Sequence, residues 1–416
     1  MEESLLRDIA ERYLLPFFSG ARLEAIAAKS SAKDQTVAFV TNLQTIGFKV
    51  DKDDSYRLII GRNQNFAEKN SPTAEFAVIQ AFVDCLSGMK DILSGELKDE
   101  VLSTFQRRVI AKAISSQIDH KNILSAIDQV SMWASKLYEG APIASAIGIS
   151  QNSEKSSELT LKLIGKEDYG MVLSNGFDTL LEFNENLEFV DHKVLGFPAS
   201  TQKFSPFRYS AIANWTASGA GRIALTLNRL GEILIFVSGQ LLFARRSGVW
   251  NFLTHEPLVS QISVPRKLEV RTAIYETLLD ASFARNGACI GVVSQKSGNA
   301  WTNFVNDSDI LDLAISDKAM MIAQIVNGRT FYDLPRPLRQ ELVAIDGSTI
   351  MDHTGKILAV GAILKLPGGS TSGGRTAAAI ELGSLGLGVK VSQDGGITGY
   401  ISGKGVDRAT PSFRMM

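Results

Sequence analysis

Two stretches in the last third of the chain hold residue types whose spacing suits chemistry. The run Leu366-Pro367-Gly368-Gly369-Ser370-Thr371-Ser372-Gly373-Gly374-Arg375-Thr376-Ala377-Ala378-Ala379 is rich in glycine and hydroxyl groups and opens onto an alanine-rich helix. Glycines let a backbone approach an anion closely, the first amides of a helix are unpaired donors, and the helix dipole favours negative charge there. Ser372 is placed to cap that helix, and Arg375 adds a planar, permanently charged fork for phosphate oxygens. The run is neither a Walker loop nor Gly-x-Gly-x-x-Gly, and loops of this composition also serve as plain flexible connections. The second stretch is Asp346-Gly347. A carboxylate there could hold Mg²⁺ or Mn²⁺ through oxygen or orient an attacking hydroxyl, while Asp-Gly is equally a common turn. His120, His192, His255 and His353 show no pairwise spacing of a metal site.

The elements around these stretches alternate helix and strand, the pattern of an α/β fold. Residues 267–285 form an amphipathic helix, with Ile274, Leu278 and Ala281 on one face, ended by Asn286-Gly287. A strand over 288–293 follows, then a helical stretch over 309–326 ended by Asn327-Gly328. Pro337 is placed to start a short helix up to Ala344. Next come a strand over 349–351, a turn at His353-Thr354-Gly355, and a strand over 356–366 that feeds the glycine-rich run.

A chain of 416 residues exceeds one compact core, since domains usually hold about 100 to 200 residues. Short β-rich runs at 36–40 and 56–60 precede helices over 74–86, 97–114 and 122–137, the first introduced by Ser71-Pro72. Gly, Pro, Ser and Asn collect at 140–155, which reads as a domain edge. From residue 159 the apolar period becomes two, giving strands over 159–164, 171–173, 179–183, 224–227, 233–237 and 241–244, with Ser238-Gly239 as a hairpin turn. The division expected is a mainly helical α/β region over 1–155, a β-rich domain over 156–262, an α/β domain over 263–405 and a tail over 406–416. Trp215, Arg245, Arg246, Trp250 and His255 gather around the hairpin, as a ligand pocket or as core anchors.

The net charge of −1 leaves no basic footprint for nucleic acid. Cys85 and Cys289 sit in unrelated contexts, so neither a disulfide framework nor a cysteine metal site is expected. Charges throughout residues 1–12 are unlike a signal peptide, and no apolar run reaches the roughly 18 residues of a membrane span. The expectation is a soluble, cytoplasmic protein without a membrane partner.

Taken together, four motifs in order resemble the diadenylate cyclase domain, the family that joins two ATP molecules into cyclic di-AMP. They are Gly287-Ala288-Cys289-Ile290-Gly291, Ala344-Ile345-Asp346-Gly347-Ser348-Thr349-Ile350, Gly373-Gly374-Arg375-Thr376-Ala377-Ala378-Ala379-Ile380, and Val391-Ser392-Gln393-Asp394-Gly395-Gly396-Ile397. The resemblance covers about a third of the chain. It implies an α/β domain with a central mixed sheet flanked by helices, and catalytic roles for Asp346 and Arg375. It also implies nucleotide contacts from Gly347, Ser348, Leu364, Ser372, Gly373, Gly374, Arg375, Thr376 and Ser392, with Mg²⁺ or Mn²⁺ at Asp346 and ATP as substrate or ligand. Two such domains meet face to face in the family, so a homo-oligomer through the C-terminal domain is implied, with the upstream β-rich domain as a sensor. The departures are specific. The family's Arg-His-Arg is reduced to Arg375-Thr376-Ala377, its Asp-Gly-Ala ends here in Ser348, and Gln393 is neutral where some members place a metal-binding glutamate. A variant that binds ATP or a cyclic dinucleotide without turnover is the alternative.

Overall fold

The computed structural model describes residues 2–28, 37–40, 45–49, 55–62, 74–93, 95, 98–198, 200–365, 373–403 and 408–416. The chain divides into two compact units, residues 1–254 and 255–416. Among the described residues no helix is long and apolar enough to cross a membrane.

The first unit begins with α1 (Glu3–Ile9), which runs on through a π turn and a 3-10 turn to Phe17. Strands β1 (Arg22–Ala28), β2 (Val37–Val40), β3 (Thr45–Lys49) and β4 (Ser55–Gly61) form an antiparallel sheet in the order β1-β4-β3-β2. Helices α2 (Ala74–Gly88), α3 (Lys90–Leu93), α4 (Lys98–Ile114) and α5 (His120–Trp133) follow. Helix α4 buries Leu102, Phe105 and Val109, and α5 buries Ile123, Ile127 and Val130, the three- and four-residue spacing that presents one face to a core. The Asp119 side chain accepts from the Lys121 amide and so caps α5.

After the short pair β5 (Leu137–Tyr138) and β6 (Ala141–Pro142) comes β7 (Ser145–Ser150), with all six residues buried. The unit continues through α6 (Leu161–Ile164), β8 (Thr179–Asn184), β9 (Phe189–Val194), α7 (Ser210–Ala217), β10 (Ile223–Leu227), β11 (Ile233–Val237), β12 (Gln240–Arg246) and β13 (Val249–Phe252). These strands make a sheet in the order β13-β12-β11-β10-β7-β8-β9, in which β7 and β8 run parallel and the other neighbours antiparallel. One buried core runs from Leu6 to Phe252.

The segment 140–155, which by composition reads as a domain edge, thus carries a strand in the interior of the sheet. Its small residues are there for packing. A Cβ at Gly148 would lie 2.5 Å from the Trp215 ring, and the Ser150 hydroxyl donates to the buried Glu182 carboxylate at 2.7 Å. Two stretches with strand-like alternation are helical instead: 159–164 contains α6, and 171–173 falls at the end of a 3-10 turn over Asp168–Val172. The Thr160 hydroxyl accepts from the Leu163 amide, and Leu161 and Ile164, three apart, are the buried pair. Ser238 and Gly239 both have positive φ, 51° and 81°, as a tight hairpin turn requires. Trp215 packs with Arg222 at 4.8 Å, and Arg246 pairs with Glu232 at 3.0 Å, both nearly inaccessible. These two are structural anchors.

The second unit starts with α8 (His255–Gln261) and α9 (Leu268–Ala284), and His255 Nδ1 lies 2.6 Å from the Tyr275 hydroxyl between them. Arg285, in the left-handed conformation, ends α9. Next come β14 (Ala288–Val293), α10 (Asp317–Val326), α11 (Arg336–Ala344), β15 (Ser348–Asp352), β16 (Ile357–Ala362), α12 (Gly374–Leu385), β17 (Gly386–Val391), β18 (Ile397–Ile401) and β19 (Thr410–Met415). The sheet order is β16-β15-β14-β17-β18-β19, with β14 and β15 parallel and the rest antiparallel, a mixed sheet with helices packed on it. Helix α12 packs on β14, β17 and β18 and covers Cys289 and Val293. The stretch 309–326 is helical only from Asp317, because the Ser316 hydroxyl accepts from the Ala319 amide and starts α10 there. Strand β16 ends at Ala362, short of 366.

Helices α9 and α11 are joined by buried charge. Arg336 donates from Nε and Nη2 to the two Asp280 oxygens at 2.6 and 2.7 Å, and Arg339 reaches Glu276 at 2.8 Å. Arg336 and Asp280 are both almost inaccessible, so removing one leaves the other's buried charge poorly compensated. Arg336→Met should cost about 3–5 kcal/mol of stability in denaturant unfolding of the C-terminal unit. Adding Asp280→Leu should recover most of it. A loss below about 1 kcal/mol for the single variant would mean that the pair is not holding α11.

Candidate functional site

The site grows out of a backbone crossing. After α11 the chain passes Ile345 and Asp346 and turns into β15 at Gly347, whose φ is +108°. A Cβ on Gly347 would lie 2.5 Å from the Gly361 carbonyl carbon, and one on Gly361, at φ +61°, would lie 2.6 Å from Ile345. Only two glycines allow β15 and β16 to meet this closely, and the pairing register shifts on either side of Ile350. The crossing turns neighbouring side chains opposite ways. Ser348 goes down into the sheet, 2 % exposed, while the Asp346 side chain stands 91 % exposed at the rim.

The facing wall is the start of α12. Gly373 is its N-cap, with φ +83° and no side-chain cap. Ser372, expected to cap the helix, and the rest of the loop over 366–372 lie outside the described residues. The Thr376 and Ala377 amides both point back to the Gly373 carbonyl at 3.1 Å, and the amides of Gly374 and Arg375 precede the first intrahelical acceptor. The Arg375 guanidinium lies across the face of Gly287, where a Cβ would come within 2.5 Å of Nη1. Its Nη2 is 3.8 Å from Asp346 Oδ1. A pair this long and this exposed contributes little to stability, so both charges remain available to a ligand.

Asp346, Gly347, Ser348, Leu364, Gly374 and Arg375 line one cleft of about 320 Å³, joined by the apolar side chains of Ala362, Ile363 and Ala378. Ile363 is 58 % exposed at the edge, an apolar lip beside polar groups. Gly373 and Thr376 flank the cleft without lining it. Ser392 is engaged in the β17–β18 turn, donating to Asp394 and to the Gly396 carbonyl, and does not line the cleft. The Asp394 carboxyl is held below the usual carboxylate range by that Ser392 hydroxyl first and by the Gly396 amide next.

One residue escapes a reading of the sequence. Lys390, on β17, donates from Nζ to the Thr376 hydroxyl at 2.9 Å, placing a second cation at the first turn of α12. The signal was present in the strand, where Gly388 and Lys390 share the α12-facing side of Gly386-Leu387-Gly388-Val389-Lys390-Val391. Behind the site, burial pushes the Cys289 thiol up to about 11, with a hydrogen bond from Ser348 and the charge of Arg375 acting the other way. Cys289 is therefore a neutral thiol near neutral pH and not a nucleophile.

For a metal the donor set is spare. Among the described residues no three His, Cys, Asp or Glu side chains cluster as a protein cage. Asp346 alone fits the mode in which Mg²⁺ takes one carboxylate and fills its remaining positions with phosphate oxygens and water.

No family model matches the chain, and no curated protein matches it in sequence. Among solved structures it is similar to a double-cysteine mutant of DacA from Staphylococcus aureus, at 18% identity over 35% of this chain and 86% of that one, with a TM-score of 0.21. It is also similar to a hypothetical membrane spanning protein from Bacillus cereus, at 13% identity over 42% of this chain and 90% of that one, with a TM-score of 0.24. Both likenesses are weak, and what the cleft can bind follows from its own residues.

Gly347→Ala forces a side chain into a strained backbone region and against Gly361, so thermal melts should show a loss of at least about 1–3 kcal/mol. Gly374→Ala, at a helical position with open space around it, should stay within about 0.5 kcal/mol of wild type. Equal melts for the two would remove the crossing as a constraint.

Proposed function

We propose that the C-terminal unit binds nucleoside triphosphates and carries out nucleotidyl transfer of the diadenylate cyclase type, joining two ATP molecules into a cyclic dinucleotide. The observation that supports this is the meeting, on one cleft, of the Asp346 carboxylate, the first amides of α12 and the Arg375 fork. Amides at a helix start and a guanidinium are the groups that hold phosphate oxygens, and the Ile363 lip offers an apolar surface for a base. In the reaction a ribose 3′-hydroxyl of one ATP attacks the α-phosphorus of the other. The P–O bond to pyrophosphate breaks, the hydroxyl proton leaves to a base or water, and the step repeated in the opposite sense closes the ring with two pyrophosphates released.

The protein's part in such a step is positioning and charge neutralisation. Arg375 and the α12 amides would hold the phosphates, Lys390 would add positive charge behind them, and Asp346 would orient the hydroxyl. Asp346 would also hold Mg²⁺ or Mn²⁺, which supplies charge neutralisation to phosphate oxygens when bound. Because each domain holds one ATP, the active form is a homo-oligomer with two sites facing each other, and the first unit is its sensor.

A second reading is a module that binds ATP or a cyclic dinucleotide without turnover. Favouring it is the first turn of α12, where Thr376 and Ala377 stand at the positions where the resembled family has His and Arg, and the Thr376 hydroxyl already accepts from Lys390. Losing one charge-assisted contact costs about 1.5–3 kcal/mol, or roughly tenfold in rate per 1.4 kcal/mol.

Incubation of the full chain with ATP or GTP and Mg²⁺ or Mn²⁺, read by mass spectrometry, separates the two. Cyclase activity predicts a cyclic dinucleotide and pyrophosphate, both abolished in Asp346→Asn. Intact ATP under every metal, with binding retained, selects the module without turnover.

A further inference from the structure

The first unit holds a second cleft, of about 350 Å³, between α4, α5 and the β12–β13 hairpin. Gln106 and Arg107 come from α4, Asp128 and Ser131 from α5, and Arg245 and Trp250 from the hairpin. The hairpin register sets Arg245 opposite Trp250, so the two share a face. Arg245 lines the cleft and Trp250, 3 % exposed, reaches it only by an edge, while Trp215 and Arg246 serve as anchors.

The charges in this cleft do not balance. Arg107 Nη1 lies 2.8 Å from Asp128 Oδ1. Arg245 has no carboxylate within ion-pair distance among the described residues. Burial pushes its guanidinium down from its ordinary value, and the like charge of Arg107 pushes it the same way. Burial also raises the Asp128 carboxyl, against the pull of Arg107 and Arg108. Two guanidinium groups against one carboxylate leave one positive charge. In addition, among the described residues, Gln106 Nε2, Ser131 Oγ and Asp128 Oδ1 are buried without a hydrogen bond of good geometry, Asp128 Oδ1 facing the Arg107 charge. Buried donors are nearly always paired, so the unpaired Gln106 amide and Ser131 hydroxyl beside the Arg245 cation mark a place for acceptor oxygens, on the side of the cleft away from Asp128 Oδ1 if its charge is to stay with Arg107.

We infer that this cleft binds a small organic anion, its single carboxylate or phosphate held by Arg245 with Gln106 and Ser131 and its body beside the edge of Trp250. The lining is mainly polar, which suits a small charged ligand better than a large apolar one, and guanidinium is the usual partner of a carboxylate or phosphate. The inference is independent of nucleotide binding by the C-terminal unit, and gives the first unit a ligand of stated chemistry.

Calorimetric titration of the full chain with benzoate and, separately, with inorganic phosphate tests it. At least one probe should bind saturably, and Arg245→Gln should weaken that binding about tenfold or more. The preferred probe identifies the acid group. Ser131→Leu, which fills the cleft without touching its charges, should give the same loss, and ATP binding should be unchanged in both variants. The inference is overturned if neither probe saturates below about 10 mM, or if both variants bind like wild type.

Discussion

Everything at the C-terminal site depends on two backbones passing within van der Waals contact at Gly347 and Gly361. That crossing lets β15 and β16 pair although the register shifts, and it throws Asp346 outward while its second neighbour Ser348 turns into the sheet. A side chain at either position would press on the neighbouring chain and strain the turn that sets the carboxylate on the rim it shares with Arg375. The Asp-Gly pair is thus a turn, and the turn is what places the functional group.

The electrostatics divide sharply between pairs that hold the fold and a pair left open to solvent. The Asp280–Arg336 pair is short, two-pronged and inaccessible, and it fastens α11, whose far end delivers Asp346. Asp346 and Arg375 are instead exposed and 3.8 Å apart. A well-made pair there would have to be broken before a phosphate could bind. The loose arrangement leaves both groups exposed, as the proposed phosphate binding requires, with Lys390 beside Thr376 adding charge where the first turn of α12 carries one arginine.

Much of this was legible in the sequence. The strand over 288–293 and that over 233–237 have the bounds read from their continuous apolar runs, because strands buried on both faces carry little else. Asp346 and Arg375 were singled out by type, and the cleft brings both together with Ser348 and Leu364. Strand β7 was not legible, since the small residues that let Trp215 and Glu182 pack on it give it the composition of a linker. Nor was α6, where a Thr160 cap overrides an alternating pattern. Lys390 escapes because the one clue, its place on the same strand face as Gly388, gains meaning only through Thr376 on another element.

The central claim is that the cleft between Asp346 and the start of α12 holds the phosphates of a nucleotide. Calorimetric titration of the full chain with a non-hydrolysable ATP analogue tests this most directly, because it is blind to turnover. Binding should saturate, and Arg375→Ala should weaken it about tenfold or more. Absence of saturable binding, or equal affinity in the two proteins, would contradict it.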